Sequence, residues 1–328
     1  MSCTSTRISF CPNSTHVRFK SLVFPFSASW LRKKTPSSMS YSCNVAAVFS
    51  SGDESTEDSV EGILLKEYGI RSLMKMERRS VPDNGRGRWF PYLDLCRAGS
   101  ILLASREVIE ALEPCIMNAR KERILRAVEN RSYSVSLVVE GLMDFGNVSA
   151  TFRSADALGI QSVHVISGGN KKRYKENRHV SKGAEKWLDI ELWNSSIECF
   201  QALRTRGYRI ATANLGMDTV SIYDLDWTHP TAIVVGNEHF GISHEALQLS
   251  DLNCSIPMKG MVDSFNVSVA AGILMHHAVS DRVSRLGRHG DLTYEERQIL
   301  LAEFFLRHRE CATSVVQEYA KRKLESLA

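Results

Sequence analysis

Three short segments of the chain place glycine, asparagine, serine or charged residues where a buried strand gives way to a helix. They run over residues 144–156, 233–243 and 256–270. Open α/β sheets build their ligand sites at such junctions, because the carboxyl ends of parallel strands meet at one edge of the sheet. The three segments are therefore expected to contribute to one site.

The first segment offers Asn147 and Arg153 for chemistry. The pattern predicts a helix over 147–158 with Asn147 as its N-cap. Arg153 would then lie beside the inward stripe and away from the solvent side; the alternative is a surface ion pair with Asp156. The inward stripe consists of three apolar residues: Val148, Phe152 and Ala155.

In the second segment, Gly236 and Gly241 bracket the carboxylate of Glu238 directly after a valine-rich strand. Glycines let a backbone approach a ligand closely, although a tight turn without a ligand gives the same pattern. In the third segment, Ser264 and Asn266 precede a long predicted helix over 266–286. They are either site residues or simple caps.

Several familiar signatures are missing. No G-x-G-x-x-G follows a strand, which argues against a nicotinamide dehydrogenase. The G-x-x-x-x-G-K-[ST] motif is also absent, which argues against an ATPase. The sequence also lacks a G-x-S-x-G elbow. Glu238, His239, His244 and Glu245 do not have H-E-x-x-H spacing, and no C-x-x-C pair occurs, so no metal site is predicted.

Strands and helices alternate from Ser134 onward, which predicts an α/β domain with a mostly parallel sheet. A helical pattern between Ser105 and Asn130 predicts a small helical N-terminal extension. The basic residues there are either a solvated face or an RNA contact: Arg120, Lys121, Arg123, Arg126 and Arg131. The predicted strands cover 135–139, 163–166, 208–213, 232–235 and 255–257, and the further helices 195–205 and 243–249. The expected domains are 1–50, 51–132, 133–287 and a helical tail over 288–328.

Residues 1–50 hold twelve serines and six Lys or Arg, with no acidic residue before Asp53. This composition predicts an organellar transit peptide, for the chloroplast or alternatively the mitochondrion. Without the six cations, Lys plus Arg falls from 41 to 35 while Asp plus Glu stays at 37, so the remaining chain has a net charge of about −2. No apolar run reaches membrane-spanning length.

RNA binding would therefore depend on local charge. A basic stretch with Tyr174 among its residues is either an RNA contact, with the tyrosine stacked on a base, or a solvated loop. The candidate RNA-binding residues are Lys171, Lys172, Arg173, Lys175, Arg178 and Lys182.

Taken together, the three segments resemble the ordered motifs of the SPOUT superfamily, specifically its SpoU/TrmH branch of RNA 2′-O-ribose methyltransferases. The resemblance covers roughly Lys121 to the C-terminus. It implies a deep trefoil knot in the C-terminal part of the domain, S-adenosyl-L-methionine as cofactor, and a homodimer. The implied catalytic residues are Asn147, Arg153, Glu238, Ser264 and Asn266, and the implied cofactor contacts are Thr212, Gly236, Ile256 and Phe265.

Two departures from the family pattern are Phe145-Gly146 before the asparagine and Phe265 in place of the usual leucine. The family proposal makes Arg153 a general base, but a guanidinium stays protonated and has no lone pair to offer. Arg153 is instead expected to clamp a phosphate and stabilise the developing alkoxide.

The expected reaction is 2′-O-methylation of a tRNA guanosine in the D-loop. Two alternatives remain open at this point: the same chemistry on organellar ribosomal RNA, and a non-catalytic RNA-binding or ribosome-assembly factor.

Overall fold

The computed structural model describes residues 74–80, 88–142, 144–166, 178–216 and 218–327. All of them belong to one compact unit, Asp53–Ala328. The expected transit peptide and four of the candidate RNA-binding residues lie outside the described residues: Lys171, Lys172, Arg173 and Lys175.

A three-stranded antiparallel sheet precedes the main domain. Its strands are β1 Met76–Arg78, β2 Tyr92–Ala98 and β3 Ile101–Leu103. This sheet was not predicted, because the apolar pattern of β2 is irregular, whereas the helical pattern expected between Ser105 and Asn130 is confirmed. Two helices follow the small sheet, α1 Ser105–Leu112 and α2 Asn118–Glu129.

The main sheet has seven strands in the order β6-β5-β4-β9-β7-β10-β8, and all its neighbouring strands pair in parallel. The α/β class with a mostly parallel sheet is thus confirmed. The strand predicted over 255–257 lies slightly earlier in the chain. The strand bounds are β4 Ser132–Glu140, β5 Ile160–Ile166, β6 Asp189–Trp193, β7 Arg209–Ala213, β8 Val220–Ser221, β9 Thr231–Val235 and β10 Leu252–Ser255.

Helices cover both faces of this sheet, as a parallel sheet requires. Alternate residues of β4 serve the two sides: Val135, Leu137 and Val139 face one core and Val138 faces the other. The remaining helices are α3 Phe145–Ala157, α4 Arg178–Ser181, α5 Ser196–Thr205, α6 His244–Gln248, α7 Val267–Leu286, α8 Tyr294–His308 and α9 Ala312–Leu327. No helix of the described ranges is long and apolar enough to cross a membrane.

A buried polar network ties the small sheet and the C-terminal helices to the edge of the main sheet. Asp189 of β6 accepts hydrogen bonds from Tyr92 Oη (2.6 Å), Tyr133 Oη (2.5 Å) and Arg307 Nη2 (2.8 Å). Arg307 Nε also donates to Glu303 Oε1 at 2.6 Å. Because these side chains are almost entirely shielded from solvent, their hydrogen bonds fix how the added elements dock on the domain.

Candidate active site

The carboxyl ends of β9, β7 and β10, which are neighbours in the sheet, open into a cleft of about 510 Å³. This volume falls in the range of about 300–1,000 Å³ typical of small-molecule sites. The connection after β4 leads to β5 on one side of the sheet and the connection after β9 leads to β10 on the other, so β4 and β9 flank a topological switch point. Such points are where open α/β sheets bind ligands.

Strand ends and the segment before α7 form much of the cleft wall. The strand ends contribute Ala213, Asn214, Val235, Cys254, Ser255 and Ile256, and the segment before α7 contributes Met258, Ser264, Phe265 and Asn266. A wall of this kind suits a ligand with a flat apolar portion and a few polar groups.

The loop after β9 is a tight turn pinned by its own backbone. Asn237 and Gly241 exchange two backbone hydrogen bonds of 2.8 and 2.9 Å, and Gly241 has a φ of +69°. A Cβ added at Gly236 would lie 2.5 Å from the backbone of Gly241 and Ile242. Gly236 is therefore required by close backbone packing, which holds Glu238 at the cleft.

Two further residues fix the same loop and were missed by the sequence reasoning. Glu140, buried at the end of β4, accepts hydrogen bonds from Ser196 Oγ (2.5 Å), Ser243 Oγ (2.7 Å) and Ser243 N (3.0 Å). Asn237 Nδ2 donates to the carbonyl oxygen of Gly141 at 2.6 Å. A carboxylate at the end of a buried strand was the available signal, since a charge there needs partners.

Three of the predicted catalytic residues form one hydrogen-bonded chain. Asn147 Nδ2 donates to Glu238 Oε1 at 2.9 Å, and Asn266 Nδ2 donates to Asn147 Oδ1 at 3.1 Å. The chain joins segments 91 and 119 residues apart in sequence. It exists because β4 and β9 are adjacent, which brings the loops after them together.

The second carboxylate oxygen of Glu238, Oε2, is buried and has no hydrogen-bond partner among the described residues. Glu238 also lines the cleft. A buried carboxylate oxygen without a donor is costly. The arrangement therefore presents an acceptor to whatever occupies the cleft.

Asn266 caps α7, as predicted, because its Oδ1 accepts hydrogen bonds from Ser268 N (2.9 Å) and Ser268 Oγ (2.6 Å). Its amide nitrogen remains directed to Asn147, so it serves as cap and as site residue together. Ser264 lies at the cleft and is exposed, with its Oγ donating to Asp263 Oδ1 at 3.2 Å.

Of the predicted cofactor contacts, Gly236, Ile256 and Phe265 line the cleft and Thr212 does not. Thr212 is fully buried, and its Oγ1 donates to Asn253 Oδ1 at 2.5 Å, tying β7 to β10. Its backbone position directly precedes the cleft-lining Ala213. A cofactor contact at Thr212 would therefore be made by its backbone, and it stays a prediction.

Two expectations about α3 are also corrected. Asp144 is the N-cap, because its carboxylate accepts from Gly146 N at 2.7 Å, and Asn147 lies within the first turn. Arg153 is exposed and forms no hydrogen bond or ion pair with another described residue, so it does not lie beside the buried stripe. Asp156 pairs with Arg131 and not with Arg153. The inward stripe itself is confirmed.

Among the candidate RNA-binding residues, the structure describes the side chain of Lys182 only. Lys182 is exposed and has a positive φ of +54° directly after α4. Arg178 begins α4, but its side chain is outside the described part of the chain. The assignment of these residues to RNA stays a prediction.

A parallel sheet with a small-molecule cleft at its carboxyl edge, and a polar chain beside that cleft, defines the class of ligand-binding α/β enzymes. Residues 134–276 match the model of the SpoU rRNA Methylase family. The tRNA (guanosine(18)-2′-O)-methyltransferase of Aquifex aeolicus is 30% identical over 194 residues, which is 59% of this chain and 92% of that protein. The chain belongs to the SpoU methylase family.

Other relatives agree with this assignment. The tRNA (guanosine(18)-2′-O)-methyltransferase of Escherichia coli is 32% identical over 187 residues, covering 56% of this chain and 81% of the relative. Among solved structures, the A. aeolicus TrmH/SpoU tRNA modifying enzyme superposes with a TM-score of 0.54 at 30% identity, covering 60% of this chain and 98% of the other.

Proposed function

We propose that this protein transfers a methyl group from S-adenosyl-L-methionine to the ribose 2′-oxygen of a tRNA guanosine, in the D-loop. The observation that carries the proposal is the chain from Asn266 through Asn147 to Glu238 beside the 510 Å³ cleft. The relatives named above are tRNA guanosine methyltransferases, which favours tRNA over ribosomal RNA.

The cleft suits S-adenosyl-L-methionine on the chemistry of its wall. Apolar side chains of Ile256 and Phe265 suit the adenine ring, and the polar strand ends suit the ribose and amino acid portions. The unpartnered Oε2 of Glu238 offers an acceptor for a hydroxyl or ammonium group. When bound, the cofactor supplies a methyl group on a positively charged sulfur, ready for in-line displacement.

The residues of this chain would position the attacking ribose. Asn147 is fixed on both sides, by Glu238 and by Asn266, so its side chain is held in one orientation. These residues would orient the 2′-hydroxyl toward the methyl donor, and the hydroxyl proton would leave to a phosphate oxygen or to water. Arg153, always protonated, would clamp the adjacent phosphate and stabilise the negative charge that develops on the oxygen.

A calorimetric titration with S-adenosyl-L-methionine separates the enzyme from a non-catalytic RNA-binding factor. The proposal expects one cofactor site per chain and its loss in Gly236→Val, because a Cβ cannot fit against Gly241. Intact RNA binding without cofactor binding would favour the non-catalytic alternative.

A homodimer belongs to this proposal. Apolar side chains are exposed along α7 and at the cleft rim, among them Val269, Val283, Leu286 and Phe265. A second copy of the chain would remove them from water, which favours association. Sedimentation equilibrium should give twice the chain mass, and a Val283→Asp/Leu286→Asp double variant should shift toward monomer; a monomeric wild-type protein would contradict the dimer.

The C-terminal trefoil knot is proposed from the family resemblance. The strand order supports a non-trivial chain path, because β10 lies between β7 and β8, both of which precede it in sequence. An experimental electron-density trace through residues 209–286 would test it; an unthreaded path would contradict it.

Delivery to the chloroplast is proposed from the composition of residues 1–50, with the mitochondrion as the alternative. Fusing these residues to a fluorescent protein in plant cells tests it. Fluorescence within chloroplasts is the expected result, and a cytosolic signal would contradict an organellar address.

A further inference from the structure

A column of side chains in ring contact, with Phe304 and Trp187 tilted by 58° to each other, runs from the protein interior to its surface on the side of α2. The guanidinium of Arg131, which is buried, lies 5.6 Å from the ring of Phe304, whose centroid is 5.2 Å from that of Trp187. Arg120 lies over the outer side of this column, 5.3 Å from the Trp187 ring. The aromatic rings therefore hold the Arg120 guanidinium in a fixed place at a partly exposed position.

Two other cations, Lys186 and Arg309, and the imidazole of His308 lie around Arg120. His308 and Arg309 stand at the end of α8, and Lys186 directly precedes Trp187. The pKa of His308 is lowered by partial burial and then by Arg120, Arg309 and Lys186, so the neighbours that shift it electrostatically are all cations within the described residues. Glu122 and Glu310 are exposed nearby in sequence. Neither carboxylate is among the groups that shift the pKa of His308.

This Arg120 cluster, defined as Arg120, Lys186, His308 and Arg309, is close to the helix that carries the active-site residues. The turn over Ala184–Trp187 packs directly against α3, which bears Asn147 and Arg153. The base of the column meets α3 at Asp156, which pairs with Arg131 at the end of the helix far from Asn147, so an RNA bound at the cleft would reach the cluster with backbone that extends along α3. The chain without its first 50 residues has a net charge of about −2, so a local group of cations is needed to hold a polyanion.

We infer that the Arg120 cluster binds backbone phosphates of the RNA substrate, away from the nucleotide that is methylated. The inference rests on the proposed function for its choice of partner. A guanidinium held over an aromatic ring can donate two parallel hydrogen bonds to a phosphate, and Lys186 and Arg309 add charge without base readout.

The test measures the affinity of the full chain for an unmodified tRNA transcript by fluorescence anisotropy at several salt concentrations. An Arg120→Gln/Arg309→Gln variant should weaken binding about tenfold, and the slope of log K against log salt should become shallower by about 1–2. Arg97→Gln removes an exposed arginine on β2 and is the matched control, expected within about twofold of wild type. Arg309→Glu alone tests the effect of charge at a position that leaves the contact between Arg120 and the Trp187 ring intact.

The readouts separate the two claims. If wild-type protein methylates tRNA while both cluster variants bind as tightly and with the same salt slope as Arg97→Gln, the inference is overturned and the proposed function stands. If the cluster variants lose affinity but wild-type protein transfers no methyl group, the RNA contact stands and the proposed function fails. Cofactor affinity should be equal in all variants, which shows that the cleft is intact.

Discussion

The side-chain amide of Asn147 donates a 2.9 Å hydrogen bond to Oε1 of Glu238. This bond joins the first turn of α3 to the tight loop after β9, which are the two structures that flank the switch point of the sheet. The other carboxylate oxygen of Glu238, Oε2, is buried and has no hydrogen-bond partner within the described residues. Asn147 and Glu238 therefore orient each other, and Oε2 remains available to orient a ligand.

Replacing Asn147 by Asp should abolish most activity, because two carboxylates would face each other across the site. The rate is expected to fall at least about 100-fold, the effect of losing one preorganised polar group. The combination Asn147→Asp/Glu238→Gln restores a donor and an acceptor and should recover part of the rate. Equal activity of the single and double variants would show that the two residues do not act together.

Arg153→Lys should lower kcat about 100–1,000-fold while leaving cofactor affinity unchanged. A lysine keeps the charge but loses the planar fork that matches a phosphate. Because Arg153 is exposed and makes no contact to a described partner, its replacement should change the free energy of unfolding by less than about 0.5 kcal/mol. A methyl-transfer assay measures kcat and urea unfolding measures the free energy of unfolding, with Arg97→Lys as the control. Retained turnover in Arg153→Lys would contradict a role for Arg153 in the mechanism.

Glu140→Ala should loosen the loop that carries Glu238, because the hydroxyls of Ser196 and Ser243 lose their shared acceptor. The expected loss of stability is about 3 kcal/mol, since the bonds involve a buried charge. The KM for S-adenosyl-L-methionine should rise more than kcat falls, while Ser196→Ala, which spares the loop itself, should leave KM nearly unchanged. An unchanged KM for S-adenosyl-L-methionine in Glu140→Ala would contradict a positioning role for Glu140.

Arg307→Met should destabilise the fold by about 3–5 kcal/mol, because it leaves Asp189 and Glu303 buried without their cation. Urea unfolding provides the measurement. Tyr92→Phe removes one of the four side-chain donors to Asp189 and should cost only about 1 kcal/mol. A loss below 1 kcal/mol for Arg307→Met would show that the network does not hold the C-terminal helices to the sheet.

Stability should fall as pH drops from about 6.5 to 4. Burial lowers the pKa of His164 to about 4, although the nearby carboxylate of Glu191 raises it in part. Burial, together with the positive charge of Arg282, lowers the pKa of His289 to about 4. Unfolded histidines bind protons below their ordinary pKa of 6.5 while these two stay neutral, so unfolding takes up protons in that window. Each contributes roughly 3 kcal/mol of lost stability by pH 4. The measurement is the free energy of unfolding as a function of pH between 6.5 and 4. His164→Gln should halve the slope of this dependence, and an unchanged slope would contradict the role given to His164.

Sequence reasoning predicted the alternation of strands and helices from Ser134 onward because the apolar periodicity is strong there. It misplaced the cap of α3, since both Asp144 and Asn147 are competent caps and only geometry chooses between them. It missed β1–β3, where burial comes from contacts with α8 and the edge of the main sheet that local pattern does not encode.

The site was predictable as a set of residue types and not as an arrangement. The proximity of Asn147, Glu238 and Asn266 depends on the crossover that places β9 beside β4, which spacing along the chain does not reveal. The same limit explains Arg153, whose exposure depends on which face of α3 packs on the sheet.

The most direct test incubates the full chain with methyl-labelled S-adenosyl-L-methionine and an unmodified tRNA transcript, then digests the RNA to nucleosides. Label is expected in 2′-O-methylguanosine from a single D-loop position, with at least about 100-fold less transfer by the Asn147→Asp variant. Label on a base, or no transfer from a protein that binds both cofactor and tRNA, would contradict it.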